Sequence, residues 1–411
     1  MVSPRTRPTD REAALAARSR LEALDGLRGL SAVAIIVLHV WMFVYGDAGR
    51  PAKNALDMAI GEFRLAVPLF FMLSGFLIYR PFVAAALDGR RMPRLRAYAL
   101  RRAARILPAY WIAVLASFVA MREVGHPHQI DAGQLPVFLL FAQNYFAETA
   151  GKLDPPMWTL CVEVSFYAAV PLVGLLALRL GTSRVRQIAL CLLLVLAGRA
   201  FGYIAHLESW QPTLTDTLLV HMGDFGAGMA VAVALHRRTI DRRAAWAMIA
   251  SGVALILANG AWHALQVGDR ELRYLVGDLP GVAGLALVIT AYAGSTLRGR
   301  ALAHGPARWA GTLSYAMYLA HYPVLIVLRE TGNWPGTMLG SLAAVFAITW
   351  AIAAVSWVCV ERPAIRWAQR RTAREARKPD AAPVERRPVQ DGVRRGRRTH
   401  AGARAAATTA R

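Results

Sequence analysis

The sequence predicts an all-α fold: a polytopic membrane helix bundle of about ten transmembrane helices, with both termini cytoplasmic. Three observations predict it. Of 411 residues, 56% are hydrophobic and only 18% charged, against roughly 25% charged in a soluble domain. Apolar runs long enough to cross a bilayer, which takes about 20 residues, recur along most of the chain. Basic residues, which are retained on the cytoplasmic side of a membrane, alternate in density from one connection to the next.

The runs read in order as Leu27 to Tyr45, Arg64 to Phe82, Ile106 to Met121, Thr159 to Arg179 and Gln187 to Ala205. The second half gives Leu218 to His236, Trp246 to Trp262, Leu279 to Ser295, Thr312 to Leu328 and Met338 to Val360. The second, which contains Pro68, and the seventh are the weakest. Ahead of Leu27 stand Arg5, Arg7, Arg11, Arg18 and Arg20. After the second run come Arg90, Arg91, Arg94, Arg96, Arg101, Arg102 and Arg105. The connections after the fourth, sixth and eighth runs are Arg-bearing as well, and the others are poor in basic residues. The alternation holds with ten spans and breaks if one is added or lost.

The chain therefore divides into a basic cytoplasmic segment (1–26), a membrane domain (27–366) and a basic cytoplasmic tail (367–411). The first run reads as a signal anchor that stays. The tail has almost no large apolar residues to bury, so disorder is expected there. It reads as a solvated segment near anionic lipids, with a specific partner as the alternative. The net charge of +22 is almost all Arg. It sits between apolar segments rather than on a soluble binding fold, so no nucleic acid is expected. Cys161, Cys191 and Cys359 fall inside apolar segments at no metal-ligand spacing. Neither a disulfide framework nor a metal site is expected.

Ionisable residues inside membrane spans are costly and usually face an interior site. Arg28, His39, Glu163, Asp224 and His321 are of this kind. His39 lies eleven residues beyond Arg28. That is about three turns and about 16 Å along the axis, on nearly the same face. His39, Glu163 and His321 come to similar depths in the outer half of the membrane. A His with a carboxylate partner is equipped to take a proton from an attacking hydroxyl, which makes His39 the candidate base and Glu163 its orienting group. The alternative for each is an interior polar residue that holds helices together, and for Asp224, beside Gly223, Gly226 and Gly228, that is the stronger reading. Ser74 lacks an adjacent base, so it reads as packing or a hydrogen-bond donor rather than a nucleophile. Gly75 permits close helix approach. Arg28, Arg102 and Arg105 are either plain cytoplasmic charge or a grip for the phosphates of a donor such as coenzyme A.

These residues fall into a pattern that resembles acyltransferase family 3, the integral membrane O-acyltransferases of bacteria, from about Leu24 to Arg366. Leu24-Asp25-Gly26-Leu27-Arg28-Gly29 with His39 resembles its opening motif, and Phe70-Phe71-Met72-Leu73-Ser74-Gly75 its second-helix signature. Arg102 to Arg105, with Ile106, Pro108 and Tyr110 following, resembles its cytoplasmic Arg motif. Trp158-Thr159-Leu160-Cys161-Val162-Glu163 is similar to the fourth-helix signature, although position 161 is usually a small residue. Ser314-Tyr315, Tyr318-Leu319 and His321-Pro323 resemble the ninth, and Glu361-Arg362-Pro363 the close of the last span. No extracellular hydrolase-like domain is expected after the tenth span.

The resemblance implies a multi-pass enzyme of the inner (plasma) membrane with no permanently bound cofactor. It would transfer an acyl group, often acetyl, from acyl-CoA (acetyl-CoA) to a hydroxyl of a sugar, cell-envelope glycan or secreted metabolite. His39 would be catalytic, with Glu163 beside it on the reading of the residues given above, and Arg28, Arg102 and Arg105 would handle the donor. Ser74, Gly75, Tyr110, Trp158, His321 and Glu361 would support them. The competing class is a proton-coupled transporter or flippase, which an intramembrane His, Glu and Asp also suit.

Overall fold

A computed structural model of the protein describes residues 10–46, 54–208, 212–266, 268–295, 297, 302 and 305–377. Among these there are no β-strands, only an isolated bridge between Ile240 and Ser295. The helices are α1 (Asp10–Tyr45), α2 (Ala66–Asp88), α3 (Leu95–Glu123), α4 (Trp158–Arg179), α5 (Arg184–Leu207) and α6 (Leu218–Leu235). They continue as α7 (Arg242–Ala264), α8 (Leu279–Gly294), α9 (Gly305–Glu330), α10 (Met338–Ser356) and α11 (Arg362–Arg377). Each expected apolar run coincides with one of the first ten. Nine segments among the described residues are long and apolar enough to cross a membrane, and α8, with 16 residues, is the short tenth. Pro68 does not break the second run. A 3-10 turn, Glu62–Leu65, leads into α2, so the proline falls in the first helical turn, where a missing N–H costs little.

Helix extends past both ends of the expected membrane domain. Residues 1–9 lie outside the described residues, and from Asp10 onward the basic N-terminal segment is part of α1. At the other end, the first residues of the basic tail are helical, since α11 runs to Arg377; residues 378–411 lie outside the described residues. The reason is packing that composition hides. A π-helical turn, Trp357–Glu361, joins α10 to α11. Ala368 and Thr372, one turn apart on α11, are buried. Arg94, at the start of α3, donates to the Glu375 carbonyl at 3.1 Å.

In lipid no solvent drives apolar side chains together, so helices associate where small residues let backbones approach. The closest pairs are α1 with α9, α2 with α6, α5 with α6 and α7 with α8. Gly75 of α2 faces the Phe225 carbonyl of α6, and Gly228 of α6 faces the Met72 carbonyl of α2; a Cβ at either would collide with backbone. Gly29 and Gly311 seat α1 against α9 in the same way. This is the close approach expected of Gly75. Around the α2–α6 contact, Phe71, Met72, Phe76 and Tyr79 pack with Phe166 of α4 and with Phe225 and Met229 of α6. On the outside, Leu172, Leu193, Leu196, Leu257 and Leu339 are exposed, an apolar surface of the extent that marks contact with lipid.

Candidate active site

A column of polar side chains runs through the bundle interior, bounded by α1, α2, α3, α4 and α9. At its centre, the Nδ1 of His39 on α1 lies 2.8 Å from the Nε2 of His321 on α9. The rings are nearly parallel, 16° apart. His321 is fully buried, and its Nδ1 lies 2.7 Å from the carbonyl oxygen of Tyr318, one turn earlier on α9. That carbonyl can only accept, so His321 carries its proton on Nδ1. Its Nε2 must then accept, and the proton between the rings belongs to His39 Nδ1. The Nε2 of His39 is left with its lone pair. The backbone of α9 thus fixes the tautomer of two histidines in series. Tyr322 sets its ring edge-on to His39, 5.4 Å between centroids.

This corrects the pairing expected for His39. Depth along a helix axis does not decide partners: His39 meets His321, and Glu163 is hydrogen-bonded elsewhere. Its carboxylate accepts from Ser74 Oγ at 2.8 Å and from the Tyr167 hydroxyl one turn along α4. It shares a small cavity of about 40 Å³ with Arg28, Thr159, Tyr315 and Tyr318. The hydrogen-bond partner of His39 is therefore His321. Ser74 is a hydrogen-bond donor to Glu163, in line with the reading that denied it a base of its own.

The end of the column at which α1 and α3 begin is basic. The Arg28 guanidinium lies in the fields of Arg105, Glu163, Tyr167 and Asp25, and its Nε is buried without a partner. Arg102 sets its guanidinium 5.7 Å from the centre of the Tyr167 ring. Glu361, in the turn after α10, is buried, within the fields of Arg105 and Arg28, and accepts from Ser356 Oγ at 3.3 Å. The structure so brings Arg28, Arg102, Arg105, Glu163, Ser74 and Glu361 into one cluster.

Tyr110 and Trp158 stand apart from the cluster. The Tyr110 hydroxyl donates to the Phe138 carbonyl at 2.7 Å, and its ring stacks on Phe141. It braces the connection between α3 and α4. Trp158 packs against His221 and Phe71 at 4.9 and 6.2 Å. Asp224 lies 3.5 Å from His221, one turn earlier on α6.

The α3–α4 connection carries Asp154, within electrostatic reach of Tyr318 and Tyr322. Its carboxylate is buried and both oxygens are without partners. Burial pushes its carboxyl well above the usual carboxylate range. The Nδ1 of His128, from the same connection, is also buried and unpartnered. Asp154 and the tautomer-setting carbonyl of Tyr318 were not legible in the sequence. Asp154 sits in a loop, and a backbone carbonyl leaves no mark in side-chain pattern. Among the described residues no group of His, Cys, Asp and Glu could hold a metal ion, and the three cysteines are unpaired.

Residues 21–361 match a family described as an acyltransferase domain. The chain is 22% identical over 365 residues to the peptidoglycan O-acetyltransferase OatA of Listeria monocytogenes, covering 84% of this chain and 56% of that protein. It is 25% identical over 329 residues to the O-acetyltransferase OatA of Staphylococcus aureus, covering 75% and 51%. It is also 23% identical over 364 residues to nodulation protein 10 of Rhizobium leguminosarum bv. viciae, covering 83% and 92%. The chain thus spans about half the length of the two O-acetyltransferases. No solved structure matches it.

Proposed function

Since the chain belongs to this acyltransferase family, we propose that it moves an acyl group, acetyl in the simplest case, from acyl-CoA to a hydroxyl of a sugar, cell-envelope glycan or secreted metabolite. The observation that carries the reading is the series Tyr318 carbonyl, His321, His39, which leaves a basic nitrogen in a bundle of this family.

The donor enters from the face bearing Arg28, Arg102 and Arg105, which is cytoplasmic in this reading, with the protein in the inner membrane. Its thioester reaches along the column toward His39. His39 Nε2 takes the proton of the acceptor hydroxyl as its oxygen attacks the thioester carbonyl. The resulting imidazolium is held through its Nδ1–H by His321, whose own Nδ1–H rests on the Tyr318 carbonyl. The attack forms the C–O bond of a tetrahedral intermediate; its collapse re-forms the carbonyl and breaks the C–S bond, and the proton passes from His39 to the departing thiolate. Glu163, tied to Ser74 and Tyr167, faces the Arg28 charge across the small cavity they share. The names of the relatives support a carbohydrate acceptor.

The test is release of free thiol from acetyl-CoA by purified protein, with and without cell-wall glycan fragments. Wild type is expected to release thiol and acetylate the glycan, and His39→Ala to do neither at equal protein level. Glycan acetylation without consumption of acetyl-CoA would overturn the donor assignment.

A further inference from the structure

The last described helix, α11, carries a charged surface that the chemistry above does not use. Successive residues of a helix are turned by about 100°, so Ala368, Thr372 and Glu375 fall on one side of it. Ala368 and Thr372 are buried, and Glu375 lies 3.9 Å from Arg96 of α3. Packing of this side against the start of α3 fixes how α11 is rotated. Arg362, Arg366, Arg370 and Arg374, four residues apart, are thereby centred on the opposite side, and all four are exposed. None of them makes a hydrogen bond or an ion pair among the described residues. Glu375 is the one carboxylate of α11, and it is turned to Arg96 and, at 3.9 Å, to Arg371.

A tryptophan interrupts this basic surface. Trp367 is 54% exposed, and the Arg371 guanidinium lies 6.0 Å from its ring centre. A face made for water alone gains nothing from an exposed indole. At a membrane interface the indole has its apolar body in lipid and its N–H among headgroups. The chain also enters α11 directly from the lipid-facing surface: Val355 and Val358, just before it, are exposed apolar side chains. Basic residues that follow a membrane span on an amphipathic helix attract acidic headgroups, and the planar fork of arginine suits phosphate oxygens.

We propose that the arginine side of α11 docks the headgroups of anionic phospholipids, with Trp367 seated in the interface beside them. The inference does not depend on which acyl donor the protein uses. Its packed side holds α11 on the helix that carries Arg102 and Arg105, so the lipid contact braces α3 as well.

The whole protein is placed in phosphatidylcholine nanodiscs with a minor fraction of brominated lipid, either phosphatidylglycerol or phosphatidylcholine. Quenching of Trp367 is read as the difference between each protein and the same protein with Trp367→Phe. Brominated phosphatidylglycerol should quench it like an about tenfold higher fraction of brominated phosphatidylcholine, the scale of one or two arginine–headgroup contacts. High salt should weaken that preference. Arg366→Gln, Arg370→Gln and Arg374→Gln together should abolish it. Arg179→Gln, Arg186→Gln and Arg242→Gln together remove as much charge from exposed arginines of α4, α5 and α7 and should leave it unchanged. The Tm of each variant in plain phosphatidylcholine discs confirms that it folds. Equal quenching by the two lipids in wild type, or a preference that survives in the α11 variant, overturns the proposal. So does a Trp367 that neither lipid quenches, which would leave the face to an acidic protein partner.

Discussion

Removing His321 should damage catalysis only through His39. In His321→Ala the 2.8 Å contact to His39 Nδ1 is lost, and the His39 proton is free to occupy either ring nitrogen. The cost is that of one buried hydrogen bond left unmade, about 1–3 kcal/mol, which corresponds to roughly 5- to 150-fold in kcat. His39→Ala removes the base itself and should cost roughly 10²- to 10⁴-fold. Because His321 acts on His39 and not on substrate, the double variant should be no worse than His39→Ala alone, and KM for the donor should change little. His321→Gln, whose amide oxygen can accept from His39 Nδ1–H, should recover part of the loss. The assay is initial-rate thiol release from acetyl-CoA across a pH series for wild type and the four variants. Additive losses in the double variant would show that His321 has a separate role. Full activity of His321→Ala would refute the tautomer argument.

Other perturbations test the remaining assignments. Glu163→Gln keeps an oxygen for Ser74 but removes the charge beside Arg28. It should lower turnover about tenfold, the scale of one charge-assisted contact, while leaving the pH profile set by His39 in place; a displaced profile would restore the His39–Glu163 pairing. Gly228→Val drives a side chain into the Met72 carbonyl, so α2 and α6 must separate, at about 1–3 kcal/mol for overpacking. A lower Tm in detergent measures it, and an unchanged Tm would contradict the close crossing. For Asp154, burial raises the folded pKa above the unfolded one. Its protonated form is favoured by folding, so its contribution is complete at acid pH and lost as pH rises through the folded pKa. Asp154→Asn should therefore resist alkaline unfolding better than wild type and unfold like it near pH 4 or below. Equal Tm values at every pH would mean that the carboxyl is not desolvated.

The span count and the bundle class were determined by sequence alone, because lipid imposes a length and a polarity that any spanning helix must display. Leu27 to Tyr45 and Thr159 to Arg179 announce themselves as apolar runs. Composition failed at α11, where Ala368 and Thr372 are buried against the protein without being large or apolar enough to signal it. In the site, spacing along one helix was legible. Arg28 and His39 share a face of α1 because eleven residues make about three turns. What spacing cannot give is rotation of one helix about another. Span counting sets Glu163 and His321 at comparable heights, but the packing of α4 and α9 against α1 decides that His321 meets His39 while Glu163 turns to Ser74 and Tyr167 beside Arg28. That packing is set by where backbones touch, as at Gly29 and Gly311. A sequence shows which residues are small, but the partner each one faces exists only once the helices are assembled.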